Sequence, residues 1–207
     1  TVACNNPVAP YNLVKTMRAS FYVLGPFLSR FNYAEVSLPG GCAWGPRPVN
    51  YHLNAMEALG AKVELSDGMM IVKGDLAGAN INFQQKSVGA TGNALMASVK
   101  ARGITVINNA AQEPEIEALC MFLVKMGAEI IGIGTDKITI KGKKELIADI
   151  EYSIIPDRIE AGTYLIAGAI TSGNVILKKV NPAHLTIVMD YLIKAGFQLD
   201  YGEDYIE

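Results

Sequence analysis

The stretch Leu53 to Gly74, LNAMEALGAKVELSDGMMIVKG, decides how this chain is read. Its first half sets apolar residues at helical spacing and stops at Gly60. Its second half alternates apolar and polar residues about a Ser-Asp-Gly triplet. A glycine just past a helix supplies the left-handed conformation that ends it, and SDG between alternating runs marks a tight hairpin. The pattern returns in Leu119 to Gly142, LCMFLVKMGAEIIGIGTDKITIKG, and again in Val188 to Glu207, VMDYLIKAGFQLDYGEDYIE. The helix-ending glycines Gly60, Gly127 and Gly196 are 67 and 69 residues apart, and Gly-Thr-Asp is read as the second tight turn.

The half-unit before each of these also repeats. Ala19-Ser20 to Leu38, Ala90-Thr91 to Ile107 and Ala161-Gly162 to Leu177 each read as a small-residue start, a helix and a β-branched strand. Val36, Thr105 and Val175 align as equivalent strand positions, at steps of 69 and 70. The helical runs NALMASVKA (93–101) and TYLIAGAI (163–170) carry so few charges that burial on most sides is expected. The fold class is therefore α/β, built of repeated β-α-β-α-β-β units of about 68 residues that must pack together to bury their helices. The third unit stops at Tyr205-Ile206-Glu207, short of the closing glycine of the other two, and the chain starts at Thr1. A piece of a longer protein, cut at both ends, is the expectation. Ile155-Pro156, ahead of Asp157-Arg158-Ile159-Glu160, is the candidate lobe boundary, because a residue before proline disfavours helix.

Composition bounds the rest. Of 207 residues, 50% are hydrophobic and 18% charged, with mean hydropathy +0.23, enough for one large or two small cores. Net charge is −2, from 18 basic and 20 acidic residues without a like-charge block. Bulk electrostatics therefore attract neither nucleic acid nor an anionic membrane, and an anionic ligand needs a few placed cations. No apolar run approaches the roughly 18 residues of a membrane span, and no signal peptide pattern opens the chain. Cys4, Cys42 and Cys120 are widely spaced and form no CxxC, which points to reduced thiols and a cytoplasmic setting. His52 and His184 lack a second ligand at metal spacing, so no metal site is expected.

Chemistry concentrates in Pro39-Gly40-Gly41-Cys42-Ala43-Trp44-Gly45-Pro46-Arg47-Pro48, a segment both loosened by glycine and stiffened by proline. It reads as a shaped loop that carries a thiol and a guanidinium. Cys42 is either a reactive thiol or a buried free cysteine, and the nearby Arg47 favours the thiolate. Cys120 lies on an apolar helical face and reads as core. Arg18 is a surface or ion-pair residue, or an anion ligand ahead of a helix start; Arg158 reads as structural. Glu113, Glu115 and Glu117 read as acids balancing a helix dipole, and His52 as a hydrogen-bonded structural histidine. Trp44 either covers a substrate or anchors the loop.

Five segments carry a resemblance. APYNLVKTMRAS (9–20), SLPGGCAWGPRPVNYH (37–52), SVGAT (87–91), NNAAQEPEIEAL (108–119) and PDRIEAGTYL (156–165) resemble, in order and over essentially the whole chain, the UDP-N-acetylglucosamine enolpyruvyl transferases of the enolpyruvyl transferase family. The resemblance implies two lobes, each an inside-out α/β barrel of three repeats with helices inside and sheets outside. Residues 1–155 would hold the last two repeats of the first lobe, and residues 156–207 the start of the second.

The resemblance also implies a reaction. The enolpyruvyl group of phosphoenolpyruvate passes to the 3′-hydroxyl of UDP-N-acetylglucosamine by addition and elimination, with release of phosphate, at the start of peptidoglycan synthesis. Cys42 takes the place of the family's loop cysteine, which acts as the acid or in product release, can bind the substrate covalently, and is the thiol alkylated by fosfomycin. Arg47 matches an anion clamp for phosphoenolpyruvate, and Arg18 a contact to the sugar nucleotide. Arg47, Pro48, Val49, Asn50 and Tyr51 match the uridine segment; Gln85, Lys86, Ser87, Val88 and Gly89 match the diphosphate segment. Asn50 stands where the family usually has Asp. The family's lysine, aspartate base and C-terminal arginine fall outside the chain, so this piece alone is expected to be inactive. No cofactor is implied, and the partners are the two small substrates, with no nucleic acid and no membrane. Two other readings stay open: a non-catalytic repeat domain that binds a nucleotide or partner, and a related transferase acting on shikimate phosphate or RNA ends.

Overall fold

A computed structural model describes residues 4–38 and 49–207. Contacts divide the chain into Thr1–Tyr152 and Ser153–Glu207. The first unit runs β1 (Val8–Ala9), α1 (Tyr11–Val14), a 3-10 helix (Arg18–Val23), α2 (Leu24–Phe31), β2 (Tyr33–Ser37), α3 (Asn50–Ala58), β3 (Lys62–Ser66) and β4 (Met69–Lys73). It continues with β5 (Asn80–Asn82), α4 (Val88–Ser98), β6 (Ile104–Asn108), α5 (Pro114–Lys125), β7 (Glu129–Ile131) and β8 (Lys137–Lys141). Two sheets result, β1-β2-β4-β3 and β5-β6-β8-β7, each with its first pair parallel and the rest antiparallel. The sequence repeat is thus a structural repeat.

Pairing corrects its register. Tyr33 faces Lys73 and Ile104 faces Lys141, so Val36 corresponds to Ile107 rather than to Thr105. The slip is two residues, which leaves every side chain on its own face of the sheet. Val36, Thr105 and Ile107 are all buried, which is why hydrophobic alternation alone did not separate the two alignments. The strands now repeat at 71 residues and the glycines at 67, so the first repeat holds four extra residues between Ser37 and Gly60.

The glycine stops hold as read. Gly60, Gly127 and Gly196 have φ of 94°, 95° and 97°. Each donates to the carbonyl three residues back (Glu57, Val124, Ile193), and the following residue donates to the carbonyl five back (Met56, Leu123, Leu192). That double closure satisfies two orphan carbonyls at each helix end. The SDG turn also holds: Ser66 faces Met69, with Asp67 and Gly68 at φ 50° and 75° between them. The Gly-Thr-Asp reading does not. β7 and β8 are joined by residues 132–136, because left-handed Gly132 and Gly134 (φ 83° and 78°) turn the chain twice before Thr135.

Helix α4 is enclosed, with eight of its eleven residues buried, Thr91, Asn93 and Ser98 among them. It packs on α2, α3 and α5. Gly25 lets α2 approach it closely, since a Cβ there would stand 2.5 Å from the Asn93 carbonyl oxygen. Leu24, Leu28, Met56, Met70, Leu95 and Ile107 fill the space between helices and sheets. Each such side chain contributes roughly 1.5–3 kcal/mol by leaving water.

The second unit comprises α6 (Arg158–Ile170), β9 (Leu177–Lys178), a 3-10 helix (Pro182–His184), α7 (Thr186–Lys194) and β10 (Tyr205–Ile206). β9 and β10 are antiparallel, and Tyr201 bridges Ile206 on the far side, the strand order of the first two sheets. Here too the strand lies two residues beyond Val175, at Leu177. The expected burial of TYLIAGAI is not met: Tyr164, Ile166 and Ile170 are exposed. This unit's core is only Ala161, Leu165, Leu185, Met189 and Ile206, enough to cover one face of α6.

Candidate functional site

Sequence order brings three segments of the first unit to neighbouring starts of helices. Arg18 opens the 3-10 helix, half-buried. Val49 caps α3 and Asn50 is its first residue, with Tyr51 partly buried behind it. Ser87 caps α4: its Oγ accepts from the Ala90 N–H at 3.3 Å, the role for which a short hydroxyl side chain is favoured. Val88 and Gly89 follow in the first turn, where unpaired N–H groups and the helix dipole suit an anion. Lys86 donates to Gln112 Oε1, and Gln112 in turn donates to the Gly134 carbonyl at 3.1 Å. Both Gln85 and Lys86 are exposed.

His52 ties these segments together. It is 91% buried, given 9% exposure, and its Nδ1 lies 2.8 Å from Asn93 Nδ2. The orientation of the Asn93 amide follows from backbone partners whose roles are fixed. Its Oδ1 accepts from the Gly25 N–H at 2.9 Å, and its Nδ2 donates to the Phe21 carbonyl at 3.1 Å. The remaining Nδ2 hydrogen faces His52 Nδ1, so Nδ1 is the acceptor and the proton sits on Nε2. Burial first, and the Arg18 charge second, lower the imidazole pKa from 6.5 to about 4. The ring lies edge-on to Phe21, with centroids 4.8 Å apart, and over Gly89, where a Cβ would be 3.2 Å from Nε2.

A cavity of about 320 Å³ opens between α3 and the end of β5. Asn50, Tyr51 and Asn54 line one side, and Asn80, Asn82 and Phe83 the other. Tyr51 meets Phe83 edge-on at 6.3 Å, and Asn108 holds Asn82 Oδ1 at 2.8 Å. Carboxamides beside aromatic rings offer donors, acceptors and a flat apolar wall, the chemistry that holds a planar polar heterocycle.

Cys42, Arg47 and Pro48 lie outside the described residues, as does Trp44. Cys120 is wholly buried, and burial with the Glu117 charge pushes its thiol up to about 11, so it is inert core. Pro114, Glu115 and Glu117 occupy the first turn of α5, as dipole balance requires. Glu113 stands at the cap position, and its Oε2 is buried without a hydrogen-bond partner among the described residues. Tyr22 is raised by burial, then by Glu115 and Glu113. Arg158 is the first residue of α6, behind Asp157, which accepts from the N–H groups of Ile159 and Glu160. Among the described residues no group of three His, Cys, Asp or Glu could hold a metal. No described helix is long and apolar enough to cross a membrane. Sequence reading missed Asn93; the signal was a carboxamide set in a helix without a charged residue.

Comparison with known proteins then decides the family. The family model described as EPSP synthase (3-phosphoshikimate 1-carboxyvinyltransferase) matches residues 2–207. The chain belongs to this enolpyruvyl transferase family. Within it, the chain is 53% identical over 209 residues to the UDP-N-acetylglucosamine 1-carboxyvinyltransferase of Chlorobium luteolum, covering 100% of the chain and 49% of that protein. It is 56% identical over 201 residues to the protein of the same name from Chlorobaculum parvum, covering 96% of the chain and 47% of that protein. The chain thus spans about half the length of the curated relatives it matches. Its fold is that of solved enolpyruvyl transferases. NikO from Streptomyces tendae superposes with TM-score 0.80 at 22% identity, over 95% of this chain and 48% of that one. EPSP synthase from Acinetobacter baumannii does so with TM-score 0.64 at 21% identity, over 92% and 46%. The inside-out α/β fold of repeated units follows.

Proposed function

We propose that this chain is part of an enzyme that transfers the enolpyruvyl group of phosphoenolpyruvate to the 3′-hydroxyl of UDP-N-acetylglucosamine, in the cytoplasm, as the first committed step of peptidoglycan synthesis. The supporting observation is the more than 50% identity, along the whole chain, to relatives bearing that enzyme's name. In the addition step the 3′-hydroxyl passes its proton to the aspartate base that the resemblance places outside this chain, its oxygen attacks carbon 2 of phosphoenolpyruvate, and carbon 3 takes up a proton, giving a tetrahedral ketal. In elimination, carbon 3 loses a proton and the bond to the phosphate oxygen breaks, leaving the enol ether and free phosphate.

Each residue then has a task. Cys42 donates the proton to carbon 3 and is the covalent site. Arg47 clamps the phosphoenolpyruvate anion, because a planar fork matches carboxylate and phosphate. Arg18 contacts the sugar nucleotide. Pro48, Val49, Asn50 and Tyr51 hold the uridine; the carboxamide-lined cavity beside α3 supports that placement. Gln85, Lys86, Ser87, Val88 and Gly89 meet the diphosphate at the first turn of α4. Residues 1–155 form the last two repeats of one lobe, and 156–207 begin the other.

Labelling of the full-length protein by fosfomycin, in the presence of UDP-N-acetylglucosamine and followed by intact mass, tests the role of the thiol. One adduct that disappears in Cys42→Ser is expected. Failure to label, or labelling that survives the substitution, removes Cys42 from the site.

A further inference from the structure

One buried polar network in the first unit has no part in the tasks just assigned. Asn93 is wholly enclosed, yet it makes three hydrogen bonds to three different segments. It accepts from Gly25 at the start of α2, donates to Phe21 in the 3-10 helix that Arg18 opens, and donates to His52 in α3. Asn93 itself lies about one turn along α4 from Gly89 and somewhat under two turns from the Ser87 cap. An amide in this position is costly unless fully paired, and here every donor and its acceptor are used.

The imidazole is held as firmly. Asn93 fixes Nδ1 as the acceptor, Phe21 meets the ring edge-on, and Gly89 leaves room for Cε1 and Nε2 at the first turn of α4. An alanine at Gly89 would press a methyl group to 3.0 Å from Cε1. The Asn93–His52 pair therefore links the elements that carry Val49–Tyr51, Arg18 and Ser87–Gly89.

We propose that Asn93 and His52 are positioning residues that fix the sugar-nucleotide-binding segments relative to one another, with His52 held as the neutral Nε2–H tautomer. The pair touches no reacting atom; it acts through Arg18, Val49–Tyr51 and Ser87–Gly89. This rests on the transferase reading above.

The tests separate the two. Nitrogen NMR of the labelled full chain reads the tautomer without any substrate. An unprotonated Nδ1 and protonated Nε2 are expected, and Nδ1–H would overturn the proposal. In the full-length protein, His52→Phe keeps a ring but loses the acceptor. It is expected to raise KM for UDP-N-acetylglucosamine about tenfold, the size of one lost buried hydrogen bond, with kcat within about twofold. His52→Asn restores an acceptor at the Nδ1 position and is expected to recover most of that loss. Equal KM in both variants and the unaltered protein, with only the melting temperature lowered, means a structural role and overturns the proposal. No turnover of these substrates by the unaltered protein contradicts the transferase reading instead, and the tautomer result still stands or falls by itself.

Discussion

At the scale of the residue, His52 makes a sharp thermodynamic prediction. Its folded pKa of about 4 lies below the ordinary 6.5, because burial and then Arg18 oppose the charged ring. Below pH 6.5 the unfolded chain takes up a proton that the folded chain refuses until about pH 4. Stability from this group is therefore complete above pH 6.5 and is lost as pH falls through that window, by roughly 3 kcal/mol in total. Urea titrations at pH 7 and pH 4.5 should show this loss in the unaltered chain and lack that component in His52→Asn. Equal pH dependence in both would contradict the assignment. Arg18→Gln should raise the imidazole pKa and so narrow the window. The reading of His52 as a hydrogen-bonded structural histidine holds, but neither its partner nor its titration is legible in sequence. Its character comes from Asn93, 41 positions away.

At the scale of the element, the glycines allow conformation to be separated from packing. Gly60, Gly127 and Gly196 are left-handed, yet a Cβ at each meets nothing closer than 3.8 Å. Gly127→Ala should therefore cost only about 1 kcal/mol, the conformational term, with Gly127→Asn cheaper still. Gly25→Ala should cost more, because its methyl group would stand 2.5 Å from a backbone oxygen of α4. Urea midpoints measure both, and a larger loss at Gly127 than at Gly25 would refute the distinction. The first kind of glycine is readable in sequence, since periodicity stops at it. The second is not, since Gly25 looks like any small residue. The strand alignment failed for a related reason: a slip of two preserves the alternation, and only the pairing of Tyr33 with Lys73 and Ile104 with Lys141 settles it.

At the scale of the whole molecule, the two units differ in what they bury. The first encloses α4 between helices and two sheets, whereas the second has a core of five residues. Its Ile159, Ile170, Ile187 and Tyr191 remain exposed. Residues 153–207 expressed alone should lack a cooperative unfolding transition, since a core of five buried side chains is too small to offset the ordering entropy of the segment. Circular dichroism during a urea titration checks this, and a sigmoidal transition would contradict it. The repeated architecture was legible from three helix-ending glycines and the alternating runs that follow them. The grouping of Arg18, Asn50 and Ser87 was legible only through resemblance, because no local pattern announces that segments so far apart in sequence start helices side by side.

The central claim is the reaction, and phosphate release tests it most directly. The full-length protein is given phosphoenolpyruvate with either UDP-N-acetylglucosamine or shikimate 3-phosphate, and inorganic phosphate is followed. Release with the sugar nucleotide alone, abolished in Arg47→Ala, is the predicted result. Release with shikimate 3-phosphate, or with neither acceptor, would contradict it.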